Sequence, residues 1–115
     1  MEITVRDYKR IQVIRIVGRV DAITAPQLDE ALKAQIAAGH TRLTLEMDAT
    51  SFLSSAGARA LISAQKALKP KGGGVSIAQP SKAVSEVLRL AGFESLFSIY
   101  KTTDGGTTWI EGNKV

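Results

Sequence analysis

Two short apolar runs, Ile11-Gln12-Val13-Ile14-Arg15-Ile16-Val17 and Leu43-Thr44-Leu45-Glu46-Met47, bracket a segment of helical period, and this arrangement limits the fold more than any other feature of the chain. The first run is nearly continuous and rich in β-branched side chains, as a strand with neighbours on both sides requires. Between the runs, Leu28, Ala31, Leu32 and Ile36 share one helical face, Asp29, Glu30 and Lys33 lie outside it, and Gly39 is a natural stop. Thr24-Ala25-Pro26-Gln27 ahead of them has the Thr-x-x-Gln form of a capping box. Strand, helix and strand in this order make a βαβ unit. The two strands are therefore expected to be parallel, with a right-handed crossover and the loops that follow them on one edge of the sheet.

The flanking segments extend this frame. Ile3 and Val5 alternate with polar residues, and Asp7-Tyr8-Lys9-Arg10 turns the chain into the first apolar run, so an antiparallel edge strand is expected at the N-terminus. An Ala- and Leu-rich helix is expected from Ala56 to Lys69. Pro70-Lys71-Gly72-Gly73-Gly74 reads as a turn into the strand Val75-Ser76-Ile77-Ala78 rather than as a phosphate loop, because no helix follows it. Gln79-Pro80-Ser81 opens a third helix with Val84, Val87, Leu88 and Ala91 inward and Gly92 at its end, and Leu96 to Tyr100 reads as a last short strand. In the tail, Asp104-Gly105-Gly106 opposes a helix while Trp109 and Ile110 ask for burial, so a weak terminal helix or turn is expected. The sum is a single α/β domain over residues 1–115, with a mixed central sheet, an antiparallel N-terminal edge strand and flanking helices.

Composition removes several classes of function. With no cysteine there is no disulfide, thiolate nucleophile or cysteine metal site, and the single His40 cannot make a metal site alone. No apolar run approaches a membrane span, and Met1-Glu2-Ile3-Thr4-Val5-Arg6 does not resemble a signal peptide, so a cytoplasmic protein without membrane contact is expected. The net charge of +4 is scattered, with Lys66, Lys69 and Lys71 gathered at a helix end where they complement its dipole, and few aromatics interleave. Nucleic acid is not an expected partner. No cofactor or metal is called for.

Function should be sought at Phe52-Leu53-Ser54-Ser55-Ala56-Gly57-Ala58-Arg59-Ala60-Leu61, where two hydroxyls and a glycine join a strand to a helix. A serine there ordinarily caps the helix by accepting a free backbone N–H. The same geometry also favours an anion, including a phosphate carried by the serine itself. In an open sheet, sites gather beyond the carboxyl ends of parallel strands, which here brings Asp21, the serine pair, and Gln79 with Ser81 to one edge. Asp21 could equally serve only to shape its own turn. A serine hydrolase would need a base within hydrogen-bond reach. His40 precedes the third strand whereas Ser55 follows it, and about six residues at about 3.3 Å each hold them roughly 20 Å apart. Gly-x-Ser-x-Gly is absent as well.

Three segments taken together resemble the STAS domain of anti-sigma factor antagonists: Gly18-Arg19-Val20-Asp21-Ala22, the stretch from Leu43 through Phe52 to Ser54-Ser55-Ala56-Gly57-Ala58-Arg59-Ala60-Leu61, and Leu88-Arg89-Leu90-Ala91-Gly92-Phe93-Glu94-Ser95-Leu96-Phe97. The resemblance covers nearly the whole chain. It implies a non-enzymatic switch that captures a cytoplasmic serine kinase acting as an anti-sigma factor, is released by phosphorylation, and is reset by a serine phosphatase. In the founding pattern, Asp-Ser-Ser-Gly, the acceptor directly precedes the glycine. Here Ala56 holds that place and Ser54 the place of the Asp, which makes Ser55 the first candidate acceptor and Ser54 the second. Asp21, Ser54, Ser55, Gly57 and Arg59 are the partner-binding positions the resemblance implies, and Glu46 stands where the family usually has Asp. A STAS module that is not phosphorylated and serves assembly or ligand binding is the alternative.

Overall fold

The computed structural model describes residues 1–101. Its elements are β1 (Glu2–Tyr8), β2 (Ile11–Val20), α1 (Ala25–Ala37), β3 (Arg42–Glu46), β4 (Thr50–Leu53), α2 (Ser55–Leu68), β5 (Gly74–Ala78), α3 (Lys82–Leu90) and β6 (Ser98–Tyr100). Single 3-10 turns at Lys69–Lys71 and Glu94–Leu96 precede β5 and β6. The expectations for Trp109, Ile110 and the rest of the tail lie outside the described residues.

The main sheet runs in the order β1-β2-β3-β5-β6, with β1 antiparallel to β2 and the remaining pairs parallel, as the βαβ argument requires. The strands alternate as pleating demands. Ile14, Ile16, Leu43, Leu45, Val75 and Ile77 point to one face and form a single core with Leu28 and Leu32 of α1, Leu61, Ala64 and Leu68 of α2, and Val84 and Leu88 of α3. The opposite face is more polar. There the Thr44 and Ser76 hydroxyls, on paired strand positions, lie 2.8 Å apart and satisfy one another in a fully buried place. Beside them the nearly buried Glu46 accepts two hydrogen bonds of 3.0 Å from the Arg6 guanidinium, which ties the edge strand β1 to the centre of the sheet.

Four details differ from the sequence-based expectation. The hairpin turn is only Lys9-Arg10, with Lys9 at φ 58°, so Asp7 and Tyr8 belong to β1. The extra strand β4 stands between β3 and the serine pair and runs parallel to the end of β2, so Ser54 follows β4 rather than β3. The last strand begins only at Ser98, because Leu96 still belongs to the 3-10 turn. Ala91, expected inward, is exposed at the C-cap of α3.

The turn into β5 contains a tight backbone contact. A Cβ on Gly73 would fall 1.8 Å from the carbonyl oxygen of Thr41, the same oxygen that accepts the Gly74 amide at 2.9 Å. Gly73→Ala is therefore expected to push β5 off β3 and to cost on the order of 2 kcal/mol, about 10 °C in melting temperature. Its neighbour Gly72 has φ +75° with open space around it, a conformation Asn tolerates, so Gly72→Asn should melt within a few degrees of wild type. Thermal unfolding followed by circular dichroism checks both.

Candidate functional site

The edge of the sheet that carries the serine pair depends on a change of partner along β2. Its residues Gln12–Arg15 pair with β3, whereas Gly18, Arg19 and Val20 pair with Thr50, Phe52 and Leu53 of β4, across an irregularity between Gly18 and Arg19. Gly18 supplies the bend with φ +101°, a value side-chain-bearing residues rarely adopt, and its amide donates to the Ala49 carbonyl at 2.9 Å. The Ser54 amide then donates to the Val20 carbonyl at 2.8 Å, carrying the β2–β4 pairing into the first residue of the site.

Ser54 and Ser55 have different roles. Ser54 is the N-cap of α2: its backbone is extended (φ −80°, ψ 168°) and its Oγ accepts the Gly57 amide at 3.1 Å. Ser55, the first residue of the helix, is exposed, and its hydroxyl has no hydrogen-bond partner among the described residues. Gly57 is buried. A Cβ there would fall 2.6 Å from Val20 Cγ1 and 2.7 Å from Leu53 Cδ1, so the missing side chain lets the first turn of α2 close onto both paired strands. Its contribution at this place is spacing beneath the surface, while Arg59 stands exposed one helical turn beyond Ser55.

Asp21 lies on the same edge and also shapes its turn. Its Oδ1 accepts the amides of Ile23 and Thr24 at 3.0 Å each, and its carbonyl accepts the Ala25 amide at 2.8 Å, which starts α1. The Asp21 carboxylate thus closes the turn ahead of α1, and the expected capping box does not form: the Gln27 amide goes to the Thr24 carbonyl at 3.0 Å instead. The Thr24 hydroxyl makes no cap bond; it accepts the Asp21 amide and lies 2.9 Å from the Arg19 carbonyl and 3.1 Å from Asp21 Oδ1. The Thr24 amide above all, then its hydroxyl, the Ile23 amide and the charge of Arg19 hold the Asp21 carboxyl below the usual aspartate range. The Arg19 guanidinium stacks 4.4 Å from the centroid of the Phe52 ring, and Ile23 stands 88% exposed at the tip of the turn. Phe52 opened the stretch the sequence singled out, but its place under Arg19 follows from β4, which was not foreseen, and nothing in the sequence marked Ile23 as exposed.

The third expected loop joins the same edge through Ser81. Its Oγ caps α3 by accepting the Val84 amide at 3.2 Å and donates to the Thr50 carbonyl at 2.6 Å, fastening α3 to β4. Gln79 adopts φ 53° and its amide donates to the Tyr100 carbonyl. His40 sits just after α1 and ahead of β3, at the end of the sheet away from Ser55. Among the described residues no group of three His, Cys, Asp or Glu side chains could hold a metal ion, and no helix is long and apolar enough to cross a membrane.

The division of labour between the two serines can be measured. Ser54→Ala should cost about 1 kcal/mol, roughly 5 °C, through the lost cap, whereas Ser55→Ala should leave the melting temperature unchanged or slightly raised, since alanine is the better helix former. Because the folded state lowers the Asp21 pKa, the carboxylate stabilises the fold above its unfolded value of about 3.9, and that stability is lost as pH falls through the lower folded value. Asp21→Asn keeps an oxygen acceptor, so the gap between its melting temperature and that of wild type should be widest near neutral pH and close in acid. A carboxylate titration by NMR should place Asp21 below about 3.9.

Over 117 aligned residues, 98% of this chain and 92% of the other, the protein is 28% identical to the anti-sigma-F factor antagonist RsfB of Mycobacterium tuberculosis. An anti-sigma factor antagonist from Mycobacterium paratuberculosis, 27% identical, superposes with a TM-score of 0.87 over 96% of this chain and 93% of that one. The anti-sigma factor antagonist SpoIIAA shares the fold at 20% identity, with a TM-score of 0.82 in its unphosphorylated form, over 96% of this chain and 97% of that one. Its phosphorylated form, from Bacillus, gives 0.74 at 19% identity over 95% and 99%. Residues 2–106 match the STAS domain family, and the chain belongs to it.

Proposed function

We propose that this domain is an anti-sigma factor antagonist, a binding module without catalytic activity of its own, whose capture of a serine kinase that acts as an anti-sigma factor is switched off by phosphorylation of Ser55. The observation that carries the reading is the unpartnered, exposed Ser55 hydroxyl on the first turn of α2, beside an Ser54 hydroxyl already engaged in the cap. In the switching step the Ser55 oxygen bonds to the terminal phosphorus of a nucleoside triphosphate held by the kinase. The bridging phosphorus–oxygen bond breaks, the nucleoside diphosphate leaves, and the hydroxyl proton passes to a base on the kinase. A serine phosphatase returns the hydroxyl by hydrolysis. In support, RsfB is named an anti-sigma-F factor antagonist and SpoIIAA an anti-sigma factor antagonist, and SpoIIAA has a phosphorylated form.

The charge acts on binding rather than on folding. A phosphate adds about −1.5 to −2 charge, which the first turn of a helix tolerates or mildly favours when exposed. Against a partner surface shaped for a hydroxyl, the same charge must be desolvated, at a cost of several kcal/mol. Ser55→Asp is therefore expected to melt within a few degrees of wild type and to lose more than about a hundredfold in affinity for the kinase, while Ser55→Ala binds and resists switching. Capture of the native kinase, measured by calorimetry with phosphoserine mapped by mass spectrometry, decides the matter. Normal binding by Ser55→Asp together with lost binding by Ser54→Asp would move the acceptor to Ser54. Normal binding by both would leave a module for assembly or ligand binding in place of the switch.

A further inference from the structure

We propose that Arg59 is the internal counter-ion of a phosphate on Ser55, turning back along α2 to pair with it and so leaving the surface that the unphosphorylated domain presents. Ser55 and Arg59 are four residues apart in one unbroken helix, a spacing that sets their side chains over one another with Cβ atoms about 5–6 Å apart. Both are exposed. What singles out Arg59 is that it is the cation one turn along Ser55's own helix and carries no ion pair among the described residues. Arg19 lies 4.0 Å from Asp21 Oδ2 and stacks on Phe52, and Lys33 is held by Asp29 at 2.7 Å. Asp29 shares the groove between α1 and α2 with Arg59, together with Ala22, Ala25, Ala56 and Ala60, but its carboxylate is turned to Lys33. Arg59 has no ion pair or hydrogen-bond acceptor among the described residues, so no existing bond has to break before it takes up a phosphate.

A guanidinium matches two phosphate oxygens at once, which an ammonium does as a point charge only. Phosphorylation then acts on the surface twice: it adds negative charge at Ser55 and withdraws a cation one turn further on. This consequence for the partner rests on the phospho-switch reading, whereas the ion pair does not. Other charged groups on the elements that meet at this edge include Arg19 and Asp21 beside the turn before α1, Asp29 and Lys33 on α1, and Lys82 at the start of α3, which packs against β4.

The test uses the full chain with phosphoserine incorporated at position 55 during translation, so it needs no kinase and its failure is separate from failure of the switch. Phosphorus NMR follows the second ionisation of the phosphate, near pH 6. The helix end contributes equally to every variant, which isolates the side chain. Arg59→Ala and Arg59→Gln are each expected to raise the phosphate pKa by roughly 0.2–0.4 unit over wild type, an increment that disappears at about 1 M salt, and Lys82→Ala is expected to leave it unchanged. Both Arg59 variants sit on an exposed helical position, and their melting temperatures should match wild type. Coincident titrations of wild type and both Arg59 variants would overturn the proposal, and so would a shift produced by Lys82→Ala instead.

Discussion

The hydrogen bond from the Ser54 amide to the Val20 carbonyl is the point on which the rest of this edge depends. It exists because β2 is long enough to serve two neighbours and because Gly18 bends it between them. Without that bend the end of β2 would continue past β3 with no partner, β4 would have nothing to pair with, and α2 would start from an unsupported loop. With it, Val20 and Leu53 form a fully buried floor, and Gly57 lets the helix close onto that floor without a side chain between. The backbone of the site is thus held by strand pairing and packing rather than by the hydroxyls on its surface.

Most of the architecture could be read from the sequence because it rests on periodicity. The near-continuous Ile11–Val17 run and the helical face of Leu28 and Leu32 state a parallel pair and its crossover, and the structure has both. What escaped are features decided by tertiary contact. β4 is four residues, Thr50-Ser51-Phe52-Leu53, with only its two ends buried, and no alternation marks so short a strand. It forms because Thr50 Oγ1 donates to the Ile16 carbonyl at 2.8 Å and the bent end of β2 offers a ladder. The side-chain cap expected of Thr24 on α1 is absent for a similar reason. Thr24 is the N-cap position, but its backbone is already helical (φ −91°, ψ −20°) and its hydroxyl is turned back to the Asp21 amide and the Arg19 carbonyl, away from the helix amides.

The candidate site was legible in a different sense. Sequence alone put Asp21, Ser54, Ser55, Gln79 and Ser81 on one edge, since loops after parallel strands must share an edge, and this placement needed only topology. Exposure is decided by the folded junction. Adjacent serines at a strand–helix junction are equivalent on paper, and only the φ and ψ of the junction decide which Oγ faces the helix amides and which faces solvent. The apolar side chains beside them, Phe52 under Arg19 and Ile23 at the turn, follow from β4 and from the Asp21 turn, and so became visible only with those elements.

This separation of roles is what would let one end of a helix carry a switch without endangering the fold. If a single serine had to both cap α2 and accept a phosphate, modification would exchange the Oγ bond to Gly57 for a bulkier and differently directed contact, and stability would change with signalling state. With Ser54 bound to the helix amide and Ser55 left in solvent, a charge can be added or removed where no backbone bond depends on it. The substitution of Ala56 for the serine that precedes glycine in the founding pattern fits the same economy: Ala56 is a strong helix former packed partly against the core, a poor place for a charge, whereas the residue before it is exposed. The surface chemistry of this edge is thereby uncoupled from the β2–β4 pairing that builds it.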